Sequence, residues 1–441
     1  MEYLTRKYVF AQSWPIMLAN AAAPMVGLVD TFVVGRFVST SALAGIGLGA
    51  VIYGIVYWGF GFLRMSTAGL AAQADGANDQ SAVQSHLARA VPLGFAIGLI
   101  VLVLQSLFLL LAFKIYTASE AIEMSAGTYI SARLWGLPAT LSSIALMGWF
   151  VGLGRANRAL HMQIVLNIVN LILSPLFVIG FGWGLYGVGI ASAIAEWAGL
   201  FAGLALALSE IRARGGLRRE VFTREALLDS GALSKLGVTN GNIFIRTLAL
   251  TVGFNFFGNA AATQGEIFLA GNHILMQFIT MIALILDAFA HTAEAVTGAA
   301  FGAKDRARFN RAVRLTTEFS ALFALITGAA TLIFGPFVIE LLSSDPLVQD
   351  SARRYLPFCA LAPIVGFAAW QFDGIFIGTT QTRAMRDAGI AAVIIYIGAH
   401  YILEPRYGGY GLWASFLIYY IARALTLMVF YPSVTRQLDQ T

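Results

Sequence analysis

STAGLAAQADGANDQ at 66–80 returns in altered form as TAEAVTGAAFGAKDR at 292–306, so that Gly302 and Asp305 stand where the first copy has Gly76 and Asp79. The displacement is 226 residues, and Leu43, Ala44 and Gly45 fall on Leu269, Ala270 and Gly271 at the same displacement. GLYGVGIASAIAEWAG at 184–199 aligns with GGYGLWASFLIYYIAR at 408–423 at a displacement of 224. Three segments in one order at nearly one spacing mark a duplicated unit. Gly-Ala-rich stretches of this kind also suit helices that approach closely.

The unit is a membrane unit. Of the residues, 58% are hydrophobic and 12% charged, against the roughly 25% charged that soluble domains carry. Apolar runs between turn and charge clusters give spans at about 14–38, 45–72, 87–113, 127–152, 161–182 and 187–209, then 236–260, 267–300, 312–342, 354–378, 388–404 and 409–432. The expected fold is an all-α membrane protein of twelve transmembrane helices. Residues 1–209 form an N-lobe, 210–235 a basic cytoplasmic linker and 236–441 a C-lobe. An even number of spans per copy gives both copies one orientation, a pseudo-twofold axis along the membrane normal and a substrate path between halves that rock. The linker also reads as an amphipathic helix lying on an anionic inner leaflet.

Placing both termini in the cytoplasm puts nineteen of the twenty-eight Lys and Arg on that side, as the positive-inside rule requires. Arg133 then counts with the outer charges, while Arg64 and Arg423 read as anchors that snorkel to an interface. The basic residues are scattered between apolar runs, so they signal topology rather than a nucleic-acid partner. The N-terminal apolar stretch runs on through Pro24, Asp30 and Val34 and is therefore read as a first span, not a cleaved signal. Cys359 is the only cysteine and sits in LPFCALAP, an apolar setting that makes it a packing residue. GIGLG at 45–49 opens a span, follows no strand and precedes no Lys-Ser/Thr, so it is a helix contact rather than a phosphate loop. Histidines and acids form no metal or catalytic motif. No enzyme activity, resident metal or cofactor is expected.

With the repeat in view, the chain resembles the multidrug and toxic compound extrusion (MATE) transporters, specifically the bacterial DinF-like branch. The residues that carry the resemblance are PMVGLVDTFVVGRF at 24–37, LAAQADGAND at 70–79, DAFAHTAEAVTGAAFGAKD at 287–305 and DGIFIGTTQTRAMR at 373–386. The resemblance implies an exporter of two six-helix lobes around a central cavity, driven by inward flow of H+ or Na+. It also implies a cation-coupling role for Asp30 on the first helix. Many relatives pair that aspartate with Asn-x-x-x-Asp on the fifth helix; here Asn170 is followed by Ser174 and Pro175, so the second carboxylate is missing.

Acids inside a bilayer are costly and mark function by default. Asp30 lies six residues after Pro24, whose missing N–H can bend the helix and free carbonyls near the acid. Asp287, His291 and Glu294 stand at i, i+4 and i+7, on one helical face, where two carboxylates and an imidazole suit a proton relay or a cationic substrate. The competing reading pairs Asp287 with Arg246 on the preceding helix. Asp373 is the corresponding candidate of the tenth span, or else a partner of Arg383 or Arg386. Glu196, with Asn170 and Arg246, is a further candidate for the substrate cavity or its polar support. The acids do not repeat: Asp30 falls opposite Phe256, Asp287 opposite Gly61, Glu294 opposite Ala68 and Asp373 opposite Trp149.

The resulting expectation is a cation-coupled antiporter, H+ preferred over Na+, that exports amphipathic, often cationic, organic compounds across the bacterial inner membrane. The chain is expected to act as a monomer, with membrane lipid and small-molecule substrates as partners. The alternatives are a lipid or lipid-linked precursor flippase of the same broad superfamily, which would carry extra helices or a strongly basic cavity, and a membrane scaffold that transports nothing.

Overall fold

The computed structural model describes residues 4–116 and 118–439, with the side chains of 40 and 41 left aside. Nearly all of these residues are helical and none is in a strand. Among the described residues, twelve segments are long and apolar enough to cross a membrane. They are α1 (Arg6–Phe37), α2 (Ala42–Gly76), α3 (Gln80–Val103), α4 (Glu120–Gly152), α5 (Ala156–Gly180) and α6 (Gly184–Ala213), followed by α7 (Arg224–Thr263), α8 (Glu266–Gly302), α9 (Arg306–Leu342), α10 (Pro346–Gly378), α11 (Thr382–Tyr407) and α12 (Gly409–Asp439). The run expected at 87–113 is broken: α3 ends at Val103, and a short helix, Gln105–Ile115, follows Leu104.

The chain divides into two compact units. One is Leu18–Lys235; the other joins Leu236–Thr441 with the chain up to Met17. The division falls inside α1, whose helix is interrupted at Ala23 and Pro24. Pro24 has no N–H to give to the carbonyl four residues back, which weakens the helix at this point.

Equivalent turns and crossings repeat the sequence duplication in three dimensions. After α2, Asn78 turns left-handed at φ 57°, and the Asp79 carboxylate accepts the Ala82 N–H at 2.9 Å to cap α3. After α8, Lys304 does the same at φ 55°, and Asp305 accepts the Arg308 N–H at 2.8 Å to cap α9. Each aspartate satisfies an otherwise orphaned helix donor. Gly154 (φ 64°) and Thr380 (φ 53°) make the matching turns after α4 and α10.

The closest helix crossings repeat as well. On α4, Gly148 and Gly152 lie against the carbonyls of Arg64 and Ala68 on α2; on α10, Gly374 and Gly378 lie against the carbonyls of Ala290 and Glu294 on α8. A Cβ at any of the four would run into backbone oxygen, which is why small residues define these contacts. Gly45, in the GIGLG run, packs on Ser125 just as Gly271 packs on Ser351. All of these pairs are separated by 226 residues. The displacement becomes 224 only beyond α10, where Gly184 and Gly408 take φ 52° and 54°. Asp373 therefore falls opposite Met147, not Trp149, because the two-residue difference lies downstream of it.

The two units fill their interiors differently. Leu18–Lys235 is built around α4, nearly every residue of which is buried from Leu137 to Gly152. The second unit is aromatic at its centre, with Phe257 stacked on Phe416 at 4.2 Å and Tyr396 on Tyr419 at 5.0 Å. Cys359 belongs to this core and is wholly buried, its thiol 3.5 Å from the Leu275 carbonyl.

Candidate functional site

Each unit buries a charged cluster among its membrane-spanning helices. In the first unit Asp30 projects from α1 below the Pro24 break and is 0% exposed. Three other helices meet it, each with a pair of polar residues four apart and hence on one face: Asn170 and Ser174 on α5, Ser192 and Glu196 on α6, Tyr129 and Arg133 on α4. Ser192 donates to Asp30 Oδ2 at 2.8 Å, Ser174 to Oδ1 at 2.9 Å, Asn170 Nδ2 to Oδ1 at 3.2 Å and the Tyr129 hydroxyl to Oδ2 at 3.3 Å. Ser174, standing where a second carboxylate was missing from the sequence pattern, is thus a donor to the first.

Behind this shell lies a second acid. Arg133 donates to the Tyr129 hydroxyl, stands 3.7 Å from Glu196 Oε1 and stacks 4.1 Å over the Tyr53 ring. The Tyr53 hydroxyl lies 3.1 Å from both Glu196 oxygens and 3.0 Å from Thr140 Oγ1. Asp30 and Glu196 are therefore joined through Tyr129 and Arg133. Two carboxylates and one guanidinium leave one uncompensated negative charge when both acids are ionised. Asn170 Oδ1 is buried with no partner among the described residues, so the cluster holds an acceptor in reserve.

The cluster of the second unit has the opposite balance. Asp373 on α10 is bound by Arg246 from α7 and, at 2.8 Å, by Arg423 from α12. Both guanidiniums are nearly buried, and Arg423 lies within 5.8–5.9 Å of the Trp370, Tyr419 and Tyr420 ring centres, within cation-π range. Asp373 takes these two arginines rather than Arg383 or Arg386; Arg386 instead reaches Asp387 at 2.7 Å and Asn242 at 2.9 Å. Neutralising Asp373 would leave two buried cations without their shared counter-charge.

The acidic face of α8 lies in the same unit. Asp287 and His291 are half-buried and Glu294 is fully buried. Asp287 is near enough to Arg246 to act on it electrostatically, although the direct salt bridge of Arg246 is to Asp373. Next to His291, Thr292 shares a 2.8 Å hydrogen bond with Ser13 of α1. Glu294 sits at the α8–α10 crossing, its carbonyl covered by Gly378.

Two residues of these clusters differ from the sequence expectation of an outer-side charge at Arg133 and an interface anchor at Arg423; their side chains are 13% and 7% exposed and face Glu196 and Asp373. A buried guanidinium survives only beside a carboxylate, and those carboxylates lie on helices distant in sequence. Tyr129, which links Asp30 to Arg133, and Tyr53, which holds Glu196, carry no sequence pattern of their own. The available signal was the position of Arg133 well inside its own apolar span.

The MatE family model matches the chain twice, over residues 15–176 and 243–402, one match per copy of the repeat. The DNA damage-inducible protein F of Escherichia coli is 31% identical over 97% of this chain and 92% of its own length. A probable multidrug resistance protein NorM of Acinetobacter baylyi is 25% identical over 96% of this chain and 95% of its own. Among solved structures, the Vibrio cholerae MATE transporter VcmN in its bent form superposes with a TM-score of 0.86 at 18% identity, covering 99% of this chain and 98% of that one. A MOP superfamily transporter from Pyrococcus furiosus gives 0.84 at 20%, covering 99% and 97%. With both halves matched by the family model and a relative 31% identical over nearly the whole of both chains, the chain belongs to the MatE family of multidrug and toxic compound extrusion transporters, on its DinF-like branch.

Proposed function

We propose that this efflux transporter is driven by protons, and that the proton is carried by the Asp30–Glu196 cluster of the first unit. The observation that carries this reading is the buried guanidinium of Arg133, 3.7 Å from Glu196 and hydrogen-bonded to the tyrosine that serves Asp30. That guanidinium takes up the charge of Glu196 and leaves Asp30 as the one uncompensated carboxylate, and Ser174 supplies no further carboxylate with which a sodium ion could be coordinated. A proton needs neither extra ligands nor open space. It balances the single uncompensated charge of the cluster.

Protonation changes what Asp30 can do. The carboxylate accepts four hydrogen bonds; the acid form must also donate one. The hydroxyls of Ser174 and Ser192 can turn to accept, and so can Asn170 once its amide turns. Tyr129 is then released from Asp30, which leaves Arg133 free to pair more fully with Glu196. The hold of α1 on α4, α5 and α6 changes at a position just beyond the Pro24 break, a ready hinge for two arrangements of α1.

Asp373 plays a different part in this account. Its two arginine partners make it a fixed counter-ion rather than a proton carrier. The α8 face of Asp287, His291 and Glu294 is a further titratable group of the second unit and takes a secondary role in proton or substrate-cation binding. Arg133 is offset by Glu196, and Arg246 and Arg423 share Asp373; an excess of one positive charge in that cluster falls short of the strongly basic cavity that a lipid flippase would use.

The exported compounds are amphipathic and often cationic, in keeping with the multidrug resistance named for the NorM relatives. The chain works as a monomer in the bacterial inner membrane with both termini in the cytoplasm, the arrangement that puts most Lys and Arg inside. The test is dye efflux from proteoliposomes under an imposed pH gradient, then under an imposed Na+ gradient. Only the pH gradient is expected to drive transport, and Asp30→Asn is expected to abolish it while the protein stays monodisperse. Efflux driven by Na+ alone, or undiminished pH-driven efflux by the variant, refutes the proposal.

A further inference from the structure

At the membrane face where α1 and α9 both begin lies a cavity of about 740 Å³, lined by Arg6 and Lys7 from α1 and by Arg311, Arg314 and Glu318 from α9. Four cations face one carboxylate, for a net charge of +3. Glu318 is engaged by Arg6 and Arg314, each at 2.9 Å. Lys7 and Arg311 have no ion pair among the described residues. The cavity thus keeps two uncommitted positive side chains beside a fixed three-membered bridge.

What lies along the same two helices identifies the ligand. On α1, Phe10 and Trp14 follow Lys7 at i+3 and i+7 and are 43% and 41% exposed. On α9, Leu322 and Leu325 follow Glu318 by one and two turns and are 49% and 54% exposed. Phe10 and Phe319 meet at 6.2 Å between the two helices. A basic cup at the mouth of two apolar helix faces matches a molecule with an anionic phosphate head and hydrocarbon tails. α1 and α9 are both odd-numbered spans, so their starts share one side of the membrane, the side to which the Lys and Arg excess belongs.

We infer that this cavity binds the phosphate headgroup of an anionic phospholipid of that leaflet, with acyl chains along Phe10–Trp14 and Leu322–Leu325, and that the lipid clamps the start of α1 to α9. A free phosphate would satisfy the same cations but leave the apolar faces unused.

The test is native mass spectrometry of the full chain from mixed micelles containing phosphatidylglycerol or phosphatidylcholine. The variant Lys7→Gln/Arg311→Gln spares the Arg6–Glu318–Arg314 bridge, and Arg383→Gln/Arg436→Gln removes the same charge from exposed positions elsewhere. Expected are retention of phosphatidylglycerol over phosphatidylcholine, retention on the order of tenfold weaker in the cavity variant, no change in the control variant, and no displacement by millimolar inorganic phosphate. Equal losses in both variants, no loss in the cavity variant, or displacement by inorganic phosphate each overturn the inference, the last in favour of a soluble anion site.

Discussion

Replacing Arg133 by Gln removes the one guanidinium that, among the described residues, pairs within the Asp30–Glu196 cluster, while keeping a hydrogen-bonding side chain. With both acids ionised, the cluster charge then changes from −1 to −2. At the 3.7 Å that separates Arg133 from Glu196, a unit charge pair in an effective permittivity of about 20 is worth about 4 kcal/mol. That equals about three pH units of proton affinity. Water entering the vacated space offsets part of it, and about one unit or more should survive. The sign follows directly: without the neighbouring cation, a proton is held more tightly and is still bound at higher pH. The pH of half-maximal dye efflux from proteoliposomes should therefore move upward in Arg133→Gln. Adding Glu196→Gln returns the cluster to −1 and should bring the profile back toward that of the native protein. A pH profile indifferent to Arg133→Gln, in a variant that remains monodisperse in detergent, would show that the guanidinium does not set the proton balance.

Other perturbations separate structural from functional charges. Asp373→Asn strands Arg246 and Arg423 and should cost about 3–5 kcal/mol, read as a lower thermal unfolding temperature; Asp373→Asn combined with Arg423→Gln should recover part of it. Gly374→Leu forces a side chain into the Ala290 carbonyl and should abolish the yield of folded protein, whereas Gly258→Leu, with nothing within 4 Å of its Cβ position, should express normally. Cys359, 0% exposed, should resist maleimide in the folded protein and react fully once it is denatured.

The duplication was legible in sequence because the features that define it are local. A left-handed residue followed by a capping aspartate occupies four or five positions, and Asn78-Asp79 and Lys304-Asp305 keep that chemistry even where the flanking helices have diverged. Asp30 was legible too, as an acid where hydrocarbon was expected. What surrounds it was only partly so. Asn170 and Ser174 stood out through the departure from the family pattern, but Ser192 and Tyr129 reach Asp30 from helices about 100 to 160 residues away, with Arg133 behind Tyr129, and no spacing rule relates them. Hydropathy counting also handles arginine poorly. It assigned Arg133 and Arg423 to the membrane edge because their counter-ions, Glu196 and Asp373, were weighed as separate residues. The pairing of Arg246 with Asp373 rather than Asp287 had the same origin, a choice between helices that only packing decides.

The central claim is that the Asp30–Glu196 cluster exchanges a proton, not a sodium ion, against substrate. It is tested most directly by adding substrate dye to the purified protein in weakly buffered detergent and counting released protons. The account predicts release of about one proton per protein, none from Asp30→Asn, and the same count with or without Na+. Dye binding that releases no proton from the native protein, or that displaces bound Na+ instead, would contradict it.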